Sequence, residues 1–167
     1  MATAMLVAAL LLSACVAIRP ASLTADDGLS YFGVYLATVV PYAVAYFWEA
    51  VCYWRVSSAL AERYHAFSLK TMAVLIAALV VAPTSLVGFF HDTLGTVLFC
   101  LQLLLSIWWV LTSDATRTGR VLLVFEFLAG GVALYYLQRH TGLLLEAQVA
   151  FQLAFGVLLI RQFERRG

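Results

Sequence analysis

Charge is what this sequence has least of. Only 11% of its 167 residues are Asp, Glu, Lys or Arg, and the net charge is +1, against roughly 25% charged residues in soluble domains. There is no basic tract, which argues against nucleic acid as a partner. Cysteine is equally sparse. Cys15, Cys52 and Cys100 stand alone, with no C-x-x-C for redox or zinc chemistry, and they are expected to be buried thiols rather than disulfides. No Ser/Gly linker or low-complexity segment interrupts the chain, so a single domain over 1–167 is expected. H-E-x-x-H, G-x-S-x-G, a phosphate-binding glycine loop and a magnesium-holding acidic cluster are all missing from the sequence. These absences lean away from an enzyme, and they leave no catalytic residue and no cofactor to assign.

What the chain has in abundance is apolar length, with hydrophobic residues making up 64% of the total. Apolar runs occupy about 4–18, 33–54, 69–90, 93–111, 121–137 and 143–160. A spanning helix needs about 20 mainly apolar residues, and helix lets such a run satisfy its own backbone groups in lipid. The runs lack the polar–apolar alternation of barrel strands. The expected fold is therefore all-α, a polytopic transmembrane six-helix bundle with the lipid bilayer as its first partner.

Lys and Arg give the expected orientation. With the N-terminus inside, the cytoplasmic segments hold Arg55, Arg63, Lys70, Arg117, Arg120, Arg161, Arg165 and Arg166, while the external loops hold Arg19 and Arg139. That bias puts both termini in the cytoplasm, in what reads as a bacterial inner membrane. Leu12-Ser13-Ala14-Cys15 has the look of a lipoprotein box, but no Lys or Arg precedes the apolar run as in a secretory n-region. A retained first helix is expected. The 55–69 connection, rich in helix formers around Ala59–Arg63, is expected to extend the neighbouring helices.

In so apolar a chain the polar residues carry the information. Tyr35, Thr38, Tyr42, Tyr46, Glu49 and Tyr53 recur at three- and four-residue steps, which puts them on one face of span two. Pro41, read as near the middle of that span, frees a carbonyl and introduces a kink. Such a face suits a small-molecule pocket or a proton-linked path. Alternatively, Tyr31, Tyr35, Tyr53 and Trp54 form an interfacial aromatic belt, with Tyr42 and Tyr46 hydrogen-bonding neighbouring helices. Glu126 is the deepest carboxylate, in span five, where it must be either held protonated or paired. Arg120 is six residues away, off the i,i+4 spacing, so Tyr46 or Gln102 is the expected partner. If partner groups are left unsatisfied, Glu126→Leu should cost about 1–3 kcal/mol.

Gln102, Ser106 and Ser113 share a face of span four, and Glu146, Gln148 and Gln152 add polar groups to span six. Together they outline a polar seam through spans two, four, five and six, or else a set of interhelical hydrogen bonds. The ligand-binding or proton-linked candidates are Glu49, Glu126, Tyr42, Tyr46, Gln102 and Gln152. Asp26, Asp27, His91, Asp92, Arg139 and His140 gather in the expected external loops, but no pair has helical metal-site spacing and no metal is assigned. Ala73-x-x-x-Ala77, Ala78-x-x-x-Ala82 and Ala129-x-x-x-Ala133, with Gly130-Gly131, offer small-residue faces for internal packing or for a dimer.

Asp27-Gly28-Leu29-Ser30-Tyr31-Phe32-Gly33 resembles a loop in an uncharacterised six-span family of bacterial and archaeal membrane proteins. Those chains follow their first helix with Gly-[Ile/Leu]-Ser-x-x-Gly and carry a proline in the second span, matched here by Val40-Pro41-Tyr42. The likeness covers about the first 55 residues. It implies a compact six-helix fold and supplies no activity. The size also looks like that of the substrate-binding subunits of energy-coupling-factor vitamin transporters, with Ala4-x-x-x-Ala8 loosely similar to their Ala-rich first helix. Three functions follow as expectations. The first is binding or transport of a small molecule or ion through the seam. The second is a non-catalytic accessory subunit that glues helices to a membrane-protein partner or to a second copy. The third is a lipid-modifying membrane enzyme.

Overall fold

The computed structural model describes residues 2–25, 28–60, 63–81, 84–113, 115–139 and 142–164. Six α-helices account for most of these: α1 Ala2–Ile18, α2 Leu36–Ala59, α3 Arg63–Val81, α4 Thr84–Thr112, α5 Arg117–Arg139 and α6 Leu144–Glu164. Two short 3-10 helices, Pro20–Thr24 and Gly28–Gly33, connect α1 to α2, and no strand occurs among the described residues. The all-α expectation holds. Five of these helices, α2 to α6, are long and apolar enough to cross a membrane, and α1 contributes a shorter apolar stretch, Met5–Ile18.

The expected extension of helices through 55–69 is also found: α2 runs to Ala59 and α3 starts at Arg63. One boundary moves. The sequence reading carried span three to residue 90 and put a loop at His91-Asp92, whereas α3 stops at Val81 and α4 begins at Thr84. Residues 82 and 83 lie outside the described residues, and hydropathy alone, high on both sides of them, read past the break. His91 and Asp92 consequently lie inside α4. Pro41 also shifts from its expected place: it sits in the first third of α2, which continues through it.

By packing, the chain divides into a first unit, Met1–Ala21 with Ser30–Leu101, and a second, Ser22–Leu29 with Gln102–Gly167. In the first, α2 packs against α1 and α3. Its buried set includes Cys15, Tyr42, Tyr53, Leu69, Met72 and Ile76. In the second, α5 packs against α6.

Helix α5 turns its large apolar residues outward and its small residues, with one carboxyl group, inward. Val124, Phe125, Phe127, Leu128 and Val132 are exposed, while Gly119, Glu126, Ala129 and Ala133 are buried. A water-soluble helix would put these the other way round. The small-residue face lets α6 approach closely. A Cβ on Gly130 would meet the Phe151 ring at 3.2 Å, whereas one on Gly131 would meet open space. Ala129-x-x-x-Ala133 therefore serves internal packing.

Candidate functional site

In the second unit the polar residues of three helices converge. The four-residue step places Gln102 and Ser106 on one face of α4, and both are fully buried. Gln152 of α6 meets Gln102 through two hydrogen bonds. The Gln102 Nε2 donates to Gln152 Oε1 at 2.9 Å and the Gln152 Nε2 donates back to Gln102 Oε1 at 3.1 Å. Further along α4 and α6, Trp109 stacks on Phe155 with ring centroids 6.0 Å apart.

Glu126 enters from the inward face of α5. It is 0% exposed, and neither carboxylate oxygen has a hydrogen-bond partner; the Ser106 Oγ is likewise buried and unpartnered. The two groups do face one another: the Ser106 hydroxyl is within reach of the Glu126 carboxyl as a weak hydrogen-bond donor, short of full hydrogen-bond geometry. The expected pairing of Glu126 with Gln102 or Tyr46 is not made: Gln102 is engaged by Gln152, and Tyr46 belongs to the first unit. Arg120 spends its Nε and Nη2 donors on the Ala115 carbonyl, at 3.2 and 2.9 Å. A buried carboxylate without donors is costly unless it carries a proton or holds a cation.

In the first unit, the inward face of α2 carries Thr38, Tyr42 and Tyr53, all buried, with Tyr46 and Glu49 half-buried between them. The shared face read from the spacing is real. The Tyr42 and Tyr46 rings lie 4.7 Å apart, and Tyr53 hydrogen-bonds the Glu49 carboxylate one turn away. Gly33 lets the Tyr42 ring close on the backbone, since a Cβ there would sit 3.2 Å from it. Tyr31 and Tyr53 are buried, so the interfacial-belt alternative fails for them; Trp54 is half-exposed, with the Lys70 ammonium 5.5 Å over its ring. The candidates thus fall into two groups: Gln102, Glu126 and Gln152 in the second unit, and Tyr42, Tyr46 and Glu49 in the first.

Three contacts escaped sequence reasoning. Ser30 and His91 share a hydrogen bond of 2.7 Å, with His91 buried inside α4. The Arg19 guanidinium lies 3.7 Å from the Tyr35 ring centroid, and its hydrogen bond to Tyr31 raises its pKa above the ordinary arginine value. Within the second unit, the Leu29 N–H donates to Gln148 Oε1 at 2.8 Å, and Gly28, at φ +56°, leaves room for that same side chain.

Those contacts explain residue by residue why the Gly-Leu-Ser-Tyr-Phe-Gly stretch is built as it is. Gly28 makes the turn, Leu29 binds Gln148, Ser30 binds His91, and the Phe32 carbonyl accepts from Thr38 at 2.8 Å. Of the metal-loop residues, Asp26, Asp27 and His140 lie outside the described residues, Asp92 is exposed on α4, and His91 is committed to Ser30. Among the described residues no group of three or more His, Cys, Asp and Glu side chains is gathered as metal ligands. The thiols also differ from expectation. Cys15 is buried, with its Sγ donating to the Thr38 carbonyl at 3.7 Å, but Cys52 is half-buried and Cys100 exposed. Glu146 is exposed in the first turn of α6, where its charge suits the helix dipole, and so leaves the seam. Ser113, on the expected α4 face, is also exposed. Comparison with protein-family models, curated proteins and solved structures finds no match to this chain.

Proposed function

We propose that this chain is an integral membrane protein of six spans, both termini cytoplasmic, that binds and exchanges a proton, ion or small molecule at Glu126. The carrying observation is a fully buried carboxylate, on the inward face of an otherwise apolar helix, with neither oxygen hydrogen-bonded. Intramembrane acids without a structural partner mark proton and ion pathways. The orientation rests on the positive-inside bias. No Lys or Arg lies between Lys70 and Arg117, so moving the helix break to between Val81 and Thr84 leaves eight cationic residues on the cytoplasmic side and two outside. Helix α4, at 29 residues, is about 44 Å long by the usual rise per residue. It outreaches a hydrocarbon core of about 30 Å, so its first turns, with His91 and Asp92, reach the outer headgroup region.

A hydrophobic carbodiimide tests the site, because it modifies carboxyl groups only when they carry a proton. Intact-mass analysis should show a single adduct at Glu126 whose rate falls as pH rises, with none in Glu126→Gln. A wild-type protein that stays unlabelled from about pH 5 to 9 means a sealed carboxyl, and the reading fails. Reporter fusions test the topology, and a cytoplasm-active reporter silent after Gly167 would overturn the even span number. The accessory-subunit reading has one observation in its favour: Gln102 and Gln152 exchange two hydrogen bonds across α4 and α6, as helix glue does.

A further inference from the structure

Resting on the Glu126 reading above, we infer that the occupant competing with the proton at this centre is a sodium ion, held by Glu126 and Ser106. Three buried atoms are unpartnered here, Glu126 Oε1, Glu126 Oε2 and Ser106 Oγ, and all three are oxygen. Two more oxygens belong to the Gln102–Gln152 pair, Gln102 one turn from Ser106 along α4 and Gln152 bonded to it from α6, each carboxamide oxygen accepting one N–H. A carbonyl oxygen has two lone pairs, so each keeps one for a cation. An all-oxygen donor set selects hard cations over the softer ones that prefer imidazole or thiolate.

Charge then selects within the hard cations. Glu126 supplies one negative charge, and Gln102, Ser106 and Gln152 supply none. A monovalent ion leaves the centre neutral, as a proton does, while a divalent ion would leave an unpaired positive charge in an apolar interior. Of the other titratable groups of these helices, Cys100 on α4 and Arg120 and Tyr135 on α5 are exposed, and among the described residues Ser106 is the side chain that acts on the Glu126 carboxyl. From α4 come Ser106 and Gln102 and from α6 comes Gln152, while the charges of α6, Glu146, Arg161 and Glu164, belong to its first and last turns. Size selects further. Helices α5 and α6 are in contact beside the site, with the Phe151 ring closed on Gly130 one turn from Glu126. That packing suits a bare ion better than an organic ammonium. Sodium and proton would therefore exchange on the same carboxylate, with no net change in the buried charge.

Cation protection of the carbodiimide reaction tests this on the full-length protein in detergent, at constant ionic strength made up with choline chloride. The expected result is that sodium slows labelling of Glu126 at least tenfold, that potassium protects far less, and that the sodium needed rises as pH falls. With a single competing proton the rise approaches about tenfold per pH unit. Ser106→Ala should keep the labelling and lose most of the sodium protection. If Glu126 labels normally and sodium does no more than choline or potassium, the sodium inference is overturned while the proton-exchanging site stands. If Glu126 never labels, the underlying reading falls first.

Discussion

Gln102 and Gln152 are 50 residues apart and exchange two hydrogen bonds, each amide donating to the other's carbonyl. Neither side chain can be changed without stranding the other, because both bonds close on the same pair. Gln152→Leu should destabilise the second unit by about 1–2 kcal/mol, the usual cost of leaving a buried polar group unpaired. The double replacement with Leu should cost less than the sum of the two singles. A double-mutant cycle on detergent unfolding would read a coupling of about 0.5–1.5 kcal/mol. Additive effects would mean that the two amides do not depend on one another.

Adjacent glycines in α5 should respond in opposite directions. Gly130→Ala puts a methyl 3.2 Å from the Phe151 ring, so the α5–α6 contact must open or the ring must turn. Gly131→Ala meets nothing, and it gains up to about 1 kcal/mol from the better helix former. Thermal unfolding of the two variants should therefore bracket the wild type, Gly130→Ala below it and Gly131→Ala at or above it. Both moving together would contradict the close approach.

Gly28 should be the least replaceable glycine of the 28–33 segment. Its φ of +56° is the left-handed region, and an added Cβ would run into the Gln148 side chain that accepts from Leu29. The backbone conformation alone costs a non-glycine residue about 1–2 kcal/mol. Gly28→Ala should lower the midpoint of unfolding, and pairing it with Gln148→Ala should recover the steric share of the loss. No recovery would place the whole cost in the backbone.

How much of this was legible in the sequence depends on the range of the signal. Helix character and the inward face of α2 follow from local apolar length and the three- and four-residue steps, both visible without a fold. Glu126 and Gln102 stood out because a polar group in an apolar run is conspicuous by itself. The α3–α4 break was missed because the 69–90 run is apolar on both sides of it, so hydropathy rewarded continuity where the two helices part. His91-Asp92 misled in the opposite sense, since polarity suggested a loop where the helix continues. The Ser30–His91 bond, 61 residues apart, and the Leu29–Gln148 bond, 119 apart, were invisible because no local pattern encodes a partner on another helix.

Glu126 gives the sharpest test, because the structure reverses an expectation. From the sequence, Glu126→Leu should destabilise the protein by leaving partner groups unsatisfied. The structure provides little of that kind: apart from the weak contact with the Ser106 hydroxyl, neither carboxylate oxygen is hydrogen-bonded. Replacing an unpartnered buried acid with an apolar side chain of similar size removes a desolvation cost and strands nothing new. Glu126→Leu should therefore raise stability, by about 1–3 kcal/mol, while abolishing carbodiimide labelling and any proton or sodium exchange. Glu126→Gln should stay within about 0.5 kcal/mol of wild type and lose the same exchange, since it keeps the shape and removes the titratable proton. Stability gained at the expense of exchange is the signature of a residue kept for function. Unfolding in detergent measured beside labelling decides the matter: if Glu126→Leu is less stable than wild type, Glu126 holds the helices together and the ion-handling reading is wrong.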